Sequence, residues 1–193
     1  MKLCFATNNE HKIKEIAAVV GQQFRIMTLK ELSVFEELPE TQNTLEGNAI
    51  QKAQYLFDKL KIPCFADDSG LEVEALNGEP GVYSARFAGP QRDSNDNMNL
   101  LLSRLKDSTN RKAKFRTVIA LVDTEELLLF EGSVDGEITK EKAGANGFGY
   151  DPVFRPVGFN KTFAEMSLEE KNKLSHRSQA VKKLTDYLKS KAR

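Results

Sequence analysis

The first third of the chain alternates between short apolar runs and helical patterns, and this order limits the fold more than any other feature. Residues 3–6 and 24–29 are apolar runs of strand length, and residues 13–20 between them carry apolar side chains at helical spacing. A longer helical pattern covers residues 44–60, and another buried strand is expected at residues 64–66. Strands that alternate with helices predict an α/β arrangement.

The middle of the chain changes character. Residues 115–122 and 127–134 are β-rich runs, and the polar residues 123–126 between them predict a hairpin. Further helices are expected to begin after Asp93 and Ser175, which are good capping residues. The pattern predicts an α/β (mixed α+β) fold with a mixed sheet. The length of 193 residues suits one domain that spans the whole chain.

Composition limits the possible partners. Basic and acidic residues balance at 28 each, so no overall field favours nucleic acid or an anionic membrane surface. No run approaches the roughly 20 apolar residues of a membrane span, and the first apolar run is too short for a signal peptide. Cys4 and Cys64 lie in apolar runs and are expected to be buried free thiols of a reducing compartment. We therefore expect a cytoplasmic protein that binds a small molecule.

The run from Pro63 to Gly70 is the strongest chemical signal. Its apolar strand is expected to end in two carboxylates, Asp67 and Asp68, and carboxylates at a strand end can hold a hard cation such as Mg²⁺. Neighbours in a strand point to opposite faces, so only one of the two would aim into a given pocket. Glu40, in an acidic loop, could complete a metal site. The alternatives are a plain turn and a solvated loop.

The segment from Ala6 to Lys12 lies where the first strand gives way to the first helix. A helix N-terminus exposes N–H groups and the positive end of the dipole, which suit phosphate. Thr7 and Asn8 add polar groups, and Lys12 adds a positive charge. The segment lacks the glycine and lysine spacing of a P-loop. The alternative is a capped helix start with a solvated lysine.

Two segments near the C-terminus have the composition of a base-binding site. Residues 144–152 place two aromatic side chains and an acid among glycines, and aromatic side chains can stack on a nucleobase. His176 and Arg177 lie in the expected first turn of the last helix, where positive charge opposes the helix dipole and indicates an anionic or acceptor ligand. The alternatives are a turn packed on the core and a solvated helix face.

Taken together, these segments give the chain a clear family resemblance. Over essentially its whole length it resembles the non-standard purine nucleoside triphosphate pyrophosphatases, also called inosine or xanthosine triphosphate pyrophosphatases. The resemblance rests on six motifs that occur in the family's order: Thr7-Asn8-Asn9-Glu10-His11-Lys12, Glu46-Gly47-Asn48-Ala49, Ala66-Asp67-Asp68-Ser69-Gly70, Pro80-Gly81-Val82-Tyr83-Ser84-Ala85-Arg86, Gly147-Phe148-Gly149-Tyr150-Asp151-Pro152 and Ser175-His176-Arg177.

The resemblance implies Mg²⁺-dependent hydrolysis of ITP, dITP or XTP to the monophosphate and pyrophosphate, which cleanses the nucleotide pool. It also implies a homodimer and an elongated mixed sheet flanked by helices, in two lobes around a central cleft. Asp68 matches the catalytic acid and a metal ligand, and Glu40 matches a second metal ligand. Lys52 and Arg86 are candidates for further phosphate contacts. The substrate-binding positions of the family correspond to Thr7, Asn8, Asn9, Glu10, His11, Lys12, Ser69, Phe148, Gly149, Tyr150, Asp151, Lys171, His176 and Arg177.

One motif departs from the family pattern. Asn8 stands where the family often has glycine, and asparagine tolerates left-handed backbone better than most residues, so the loop is expected to keep its shape.

Two other functions remain open at this point. The chain could be a pyrophosphatase for other modified nucleotides, or a non-catalytic nucleotide-binding protein.

Overall fold

A computed structural model describes residues 2–20 and 24–191. Its strands form a mixed seven-stranded sheet in the order β2-β1-β3-β5-β6-β7, with β4 paired to β3. The predicted fold class, a mixed sheet with helices around it, is confirmed. The helices are α1 (Glu10–Val20), α2 (Leu45–Leu60), α3 (Ser94–Arg104), α4 (Leu168–Asn172) and α5 (His176–Lys191). The strands are β1 (Lys2–Phe5), β2 (Arg25–Met27), β3 (Cys64–Val73), β4 (Pro80–Gly81), β5 (Lys112–Val122), β6 (Leu127–Ile138) and β7 (Phe154–Pro156).

The chain divides into two compact units. The first unit comprises Met1–Asp68, Thr117–Gly132 and Arg177–Arg193. In it β1 pairs in parallel with both β2 and β3, and Cys4 lies opposite Cys64 in the register. The apolar faces of α1 and α5 pack on these strands in one core, which includes Phe5, Phe65, Ile16, Val181 and Leu184.

The second unit comprises Ser69–Arg116 and Ser133–His176. Here β3 pairs antiparallel with β4, and β6 pairs antiparallel with β7. Its core is rich in aromatic side chains: Phe115 and Phe163 have ring centroids 6.1 Å apart, and Phe154 lies 5.1 Å from Phe163. The expected single domain and central cleft stay predictions.

The sequence predicted that the acidic run ends a strand, and this prediction is wrong. Strand β3 continues from Cys64 through Asp67, Asp68 and Ser69 to Val73, so the two carboxylates lie in the middle of a ten-residue strand. Asp and Gly are depleted in strands, and their presence here suggested a turn. Because side chains alternate along a strand, Asp67 and Asp68 point to opposite faces and have different partners.

The predicted capping residues Asp93 and Ser175 directly precede α3 and α5, and Thr44 caps α2. Thr44 accepts a hydrogen bond from the N–H of Gly47 at the start of α2, and Asp93 accepts one from the N–H of Asp96 at 2.9 Å at the start of α3. Both cysteines are buried, as expected. Among the described helices, none is long and apolar enough to cross a membrane.

The cap of α3 gives a stability prediction. Asp93→Ala leaves the N–H of Asp96 without its side-chain acceptor, so we expect the free energy of unfolding to fall by about 1 kcal/mol. Urea denaturation measures it. Ser94→Ala, one residue further along, is the matched control, and an equal loss in both variants would contradict the role of the cap.

Candidate active site

Asp67 is the centre of a buried charge network in the first unit. Its carboxylate lies 3.0 Å from Nζ of Lys12 and 3.2 Å from Nε of Arg177, and Nη1 of Arg177 also binds Glu15. Glu15 and Arg177 are buried as well. Burial alone would raise the pKa of Asp67, but Lys12, Arg177 and Lys52 outweigh it and hold that pKa well below its usual range. Asp67 is therefore a fixed anion and a poor proton acceptor.

Asp68 lies in a different environment. Nδ2 of Asn48 donates to its Oδ2 at 3.0 Å, and Nζ of Lys52 lies 3.8 Å from its Oδ1. The side chain keeps 13% of its surface exposed, whereas that of Asp67 is fully buried. Burial raises the pKa of Asp68 above its usual value, against the opposing charges of Lys52 and Lys12. A partly accessible carboxylate with a raised pKa suits a general base.

Lys52 joins the two predicted metal ligands. Its Nζ donates to Oε1 of Glu40 at 2.6 Å and to the backbone oxygen of Asp67 at 2.8 Å. Burial disfavours the charged form, but Asp68, Glu40 and Asp67 outweigh it and raise the pKa of Lys52. An ammonium group thus lies beside both carboxylates.

The donor set fits magnesium better than a softer metal. In the described part of the chain, no group of three or more His, Cys, Asp or Glu side chains could hold a metal ion. Mg²⁺ is commonly bound through one or two carboxylates together with substrate phosphates, and it does not need a cage made entirely of protein. Glu40 and Asp68 supply two such carboxylates around one lysine.

The segment before α1 uses its own side chains to cap the helix. Oδ1 of Asn9 accepts from the N–H groups of His11 and Lys12, at 3.0 and 3.2 Å, and Oγ1 of Thr7 accepts from the N–H of Asn9. Two of the helix donors predicted to face phosphate are thus satisfied by Asn9. Thr7 is buried, whereas Asn8, Glu10 and His11 are exposed.

The departure at Asn8 does not need left-handed backbone. Across residues 2–20 and 24–191, positive φ among non-glycine residues occurs only at Ser33, Lys61, Asn77 and Arg92. The tolerance of asparagine for that conformation is therefore not used at position 8, and the exchange for glycine is accommodated by ordinary backbone.

In the second unit, the predicted base-binding residues assemble around a buried ion pair. Lys171 and Asp151 are both buried, with Nζ of Lys171 2.6 Å from Oδ2 of Asp151. The same oxygen accepts from the N–H of Phe148, and Nζ lies 5.2 Å from the centre of the Phe148 ring. At Gly147 a Cβ would lie 2.0 Å from Asp151, and φ is +73°, so this close wrap of the loop requires glycine.

Other predicted residues hold the second unit together. The ring of His176 stacks on Phe115, with centroids 4.6 Å apart and planes within 8°, so its imidazole belongs to the aromatic core. The hydroxyl of Tyr150 donates to the backbone oxygen of Ser84 at 2.9 Å. Arg86 lies over the ring of Tyr83, at 5.2 Å from its centre. Ser69 and Gly149 are half-buried.

Sequence reasoning missed Glu15 and Asn48 as members of the charged cluster. Glu15 immediately precedes Ile16 on the buried face of α1, and Asn48 lies one turn before Lys52 on α2. A polar residue beside the apolar positions of a helix is the available signal, since a buried charge or amide needs a partner.

Similarity to known proteins extends over almost the whole chain. A model of the Ham1 family matches residues 3–187. This chain belongs to the Ham1 family. The family resemblance predicted from the six motifs is thereby confirmed.

Its Ham1 relatives are similar over almost their full length. The dITP/XTP pyrophosphatase of Flavobacterium johnsoniae is 53% identical over 188 residues, which cover 97% of this chain and 98% of that protein. The dITP/XTP pyrophosphatase of Porphyromonas gingivalis is 50% identical and covers 97% of each chain. The solved structure of the Ham1 protein from Staphylococcus aureus has a TM-score of 0.90 at 40% identity, and covers 99% of this chain and 100% of that one.

Proposed function

We propose that this protein hydrolyses the non-standard purine nucleoside triphosphates ITP, dITP and XTP to the monophosphate and pyrophosphate. The observation that carries the proposal is the pair of unlike carboxylates on β3: Asp67 is fully buried and bound by Lys12 and Arg177, whereas Asp68 is partly exposed beside Asn48. Membership of the Ham1 family supports the proposal. Two relatives that are 53% and 50% identical over nearly their full length are named dITP/XTP pyrophosphatases, which supports it as well.

Asp68 is the general base in this proposal. It accepts a proton from the water that attacks the α-phosphorus, the bond to the β-phosphate oxygen breaks, and pyrophosphate leaves. Asp67 does not share the base role, because Lys12 and Arg177 bind its carboxylate and its side chain is fully buried. It positions Lys12 at the first turn of α1, where the ammonium group neutralises the triphosphate.

Glu40 and Asp68 would hold Mg²⁺. The ion would supply charge neutralisation on the phosphate oxygens and polarise the reacting group. Lys52 adds a fixed positive charge beside both carboxylates, and it stays protonated because its pKa is raised. The residues around Thr7 and Asn9 would contact the triphosphate next to Lys12.

Base recognition is assigned to the second unit. The Phe148 ring offers a stacking surface, and Asp151 offers a carboxylate acceptor held by Lys171. Position 6 of inosine and xanthosine is a carbonyl acceptor, whereas that of adenosine is an amino donor. A donor from the second unit that binds this carbonyl would be left unpaired by adenine.

A panel of nucleoside triphosphates with Mg²⁺ tests the proposal. We expect ITP, dITP and XTP to be turned over far faster than ATP, with pyrophosphate as the released product. Orthophosphate release would indicate a phosphatase instead. Faster turnover of modified pyrimidine triphosphates would favour the second enzymatic function, and no turnover of any substrate would favour a nucleotide-binding protein.

We further propose a cytoplasmic homodimer that cleanses the nucleotide pool. The two buried free cysteines fit a reducing compartment. The dimer rests on the family resemblance, and sedimentation velocity measures it directly: we expect about twice the mass of the 21.7 kDa chain.

A further inference from the structure

Asn48 forms hydrogen bonds both to Asp68 and to the loop that carries Glu40, and these two acids are the predicted metal ligands. Its Nδ2 donates to Oδ2 of Asp68 at 3.0 Å, and its Oδ1 accepts from the N–H of Gln42 at 2.9 Å. Gln42 follows Glu40 by two residues in the same loop. One side chain on α2 therefore connects the carboxylate on β3 to the loop that carries Glu40.

The amide is held in one orientation. Asn48 is 1% exposed, and a buried amide without partners costs free energy, so both of its ends must be satisfied. The backbone N–H of Gln42 can only donate, which requires the oxygen of Asn48 on that side and its NH₂ group on the side of Asp68. Leucine or alanine at this position could satisfy neither group.

Each oxygen of Asp68 thus has its own neighbour. Asn48 binds Oδ2, and Lys52 lies near Oδ1, so the plane of the carboxylate is fixed from two sides. A second tie holds the loop on α2 without touching Asp68: the N–H of Thr41 donates to Oε1 of Gln51 at 2.9 Å, and Nε2 of Gln51 donates to Oγ1 of Thr41 at 2.8 Å. This second tie provides a natural control.

We infer that Asn48 is a positioning residue that orients Asp68 and holds the Glu40 loop so that both carboxylates can bind one divalent cation. The inference rests on the proposed function, since it assumes that these carboxylates hold the metal. Removing a group that holds a metal ligand in position without touching the metal typically weakens metal binding about 10–100-fold. Asn48 itself touches neither the cation nor the substrate in this role.

The test measures Mn²⁺ binding to the full chain without nucleotide, by electron paramagnetic resonance of the free ion. We expect Asn48→Ala to weaken Mn²⁺ binding by about 10–100-fold, and Gln51→Ala to change it by less than about threefold. In turnover, Asn48→Ala should need more Mg²⁺ for half-maximal rate, and added Mg²⁺ should restore kcat while the KM for ITP stays near that of the wild type. Asn48→Ser gives the same readouts if the alanine variant does not fold.

The outcomes separate this role from a purely structural one. A lower Tm with wild-type Mn²⁺ affinity in the Asn48 variants would overturn the inference and leave the proposed function standing. Equal losses of Mn²⁺ affinity in the Asn48 and Gln51 variants would also overturn it, because the loop alone would then explain the effect. A wild-type chain that binds no Mn²⁺ without nucleotide, together with an unchanged Mg²⁺ requirement for turnover in the Asn48 variants, would overturn the role of Asn48.

Discussion

Asp68→Asn is expected to lower kcat for ITP by about 10²–10⁴, because the variant loses the group that takes the proton from water. The amide keeps the size of the carboxylate, and its single oxygen can still accept from Nδ2 of Asn48, while its NH₂ group replaces the oxygen that lies near Lys52. Steady-state release of pyrophosphate measures the loss. Tm measured on the same samples shows whether the variant is folded.

The same substitution at an exposed aspartate distinguishes the loss of the catalytic base from the loss of one negative charge. Asp58 lies on α2 in the same unit, with 60% of its side chain exposed and 3.7 Å from Lys61. Asp58→Asn removes the same charge at a distance from the cluster and should leave kcat unchanged. Turnover of Asp68→Asn within a few-fold of the wild type would remove Asp68 from the base role.

The helices were the part of the fold that the sequence predicted best. In α2, the capping residue Thr44 and the apolar spacing up to Leu60 agree with each other, and the observed helix follows them closely. Local preference and long-range packing both favour a helix there, so the residue pattern alone is enough to predict it. Strand β2 is shorter than its apolar run, because strand ends depend on which neighbour pairs with them.

The acidic run shows where local patterns fail. Asp67, Asp68 and Gly70 disfavour a strand, but the partners of Asp67 lie 55 and 110 residues away along the chain, at Lys12 and Arg177. Such partners outweigh local preference and keep the strand continuous, and no window of the sequence contains them. The six motifs still identified the family, because their order and residue identities do not depend on the local conformation.

The role of each acid could not be predicted, for the same reason. The sequence places Asp67 and Asp68 on opposite faces of a strand but does not say which face holds the cations. Only the contacts separate a carboxylate bound by two cations from one with an asparagine and a more distant lysine. The choice of Asp68 as the base therefore gains a physical reason from the structure, and it stays a prediction until the variants are assayed.

Asp67→Asn is expected to lower the free energy of unfolding at pH 7 by about 3–5 kcal/mol. The exchange leaves the buried cation Arg177 and the largely buried cation Lys12 without their shared anion, and removing one partner of a buried pair has a cost of this size. The pKa of Lys12 is already lowered by burial, which Asp67 partly offsets. Without Asp67 it falls further, so Lys12 should lose charge and the KM for ITP should rise.

The pH dependence of stability provides an independent check. Because the folded chain holds the pKa of Asp67 below its unfolded value, ionised Asp67 stabilises the fold at neutral pH, and this contribution is lost as the pH falls. The difference between wild type and Asp67→Asn in urea denaturation should be constant from pH 7 to about 5 and shrink below about pH 4, near the ordinary pKa of aspartate. Asp186→Asn, at an exposed position of α5, is the control and should show no such difference. A pH-independent gap, or a loss below about 1 kcal/mol, would mean that Asp67 does not hold the two cations in solution.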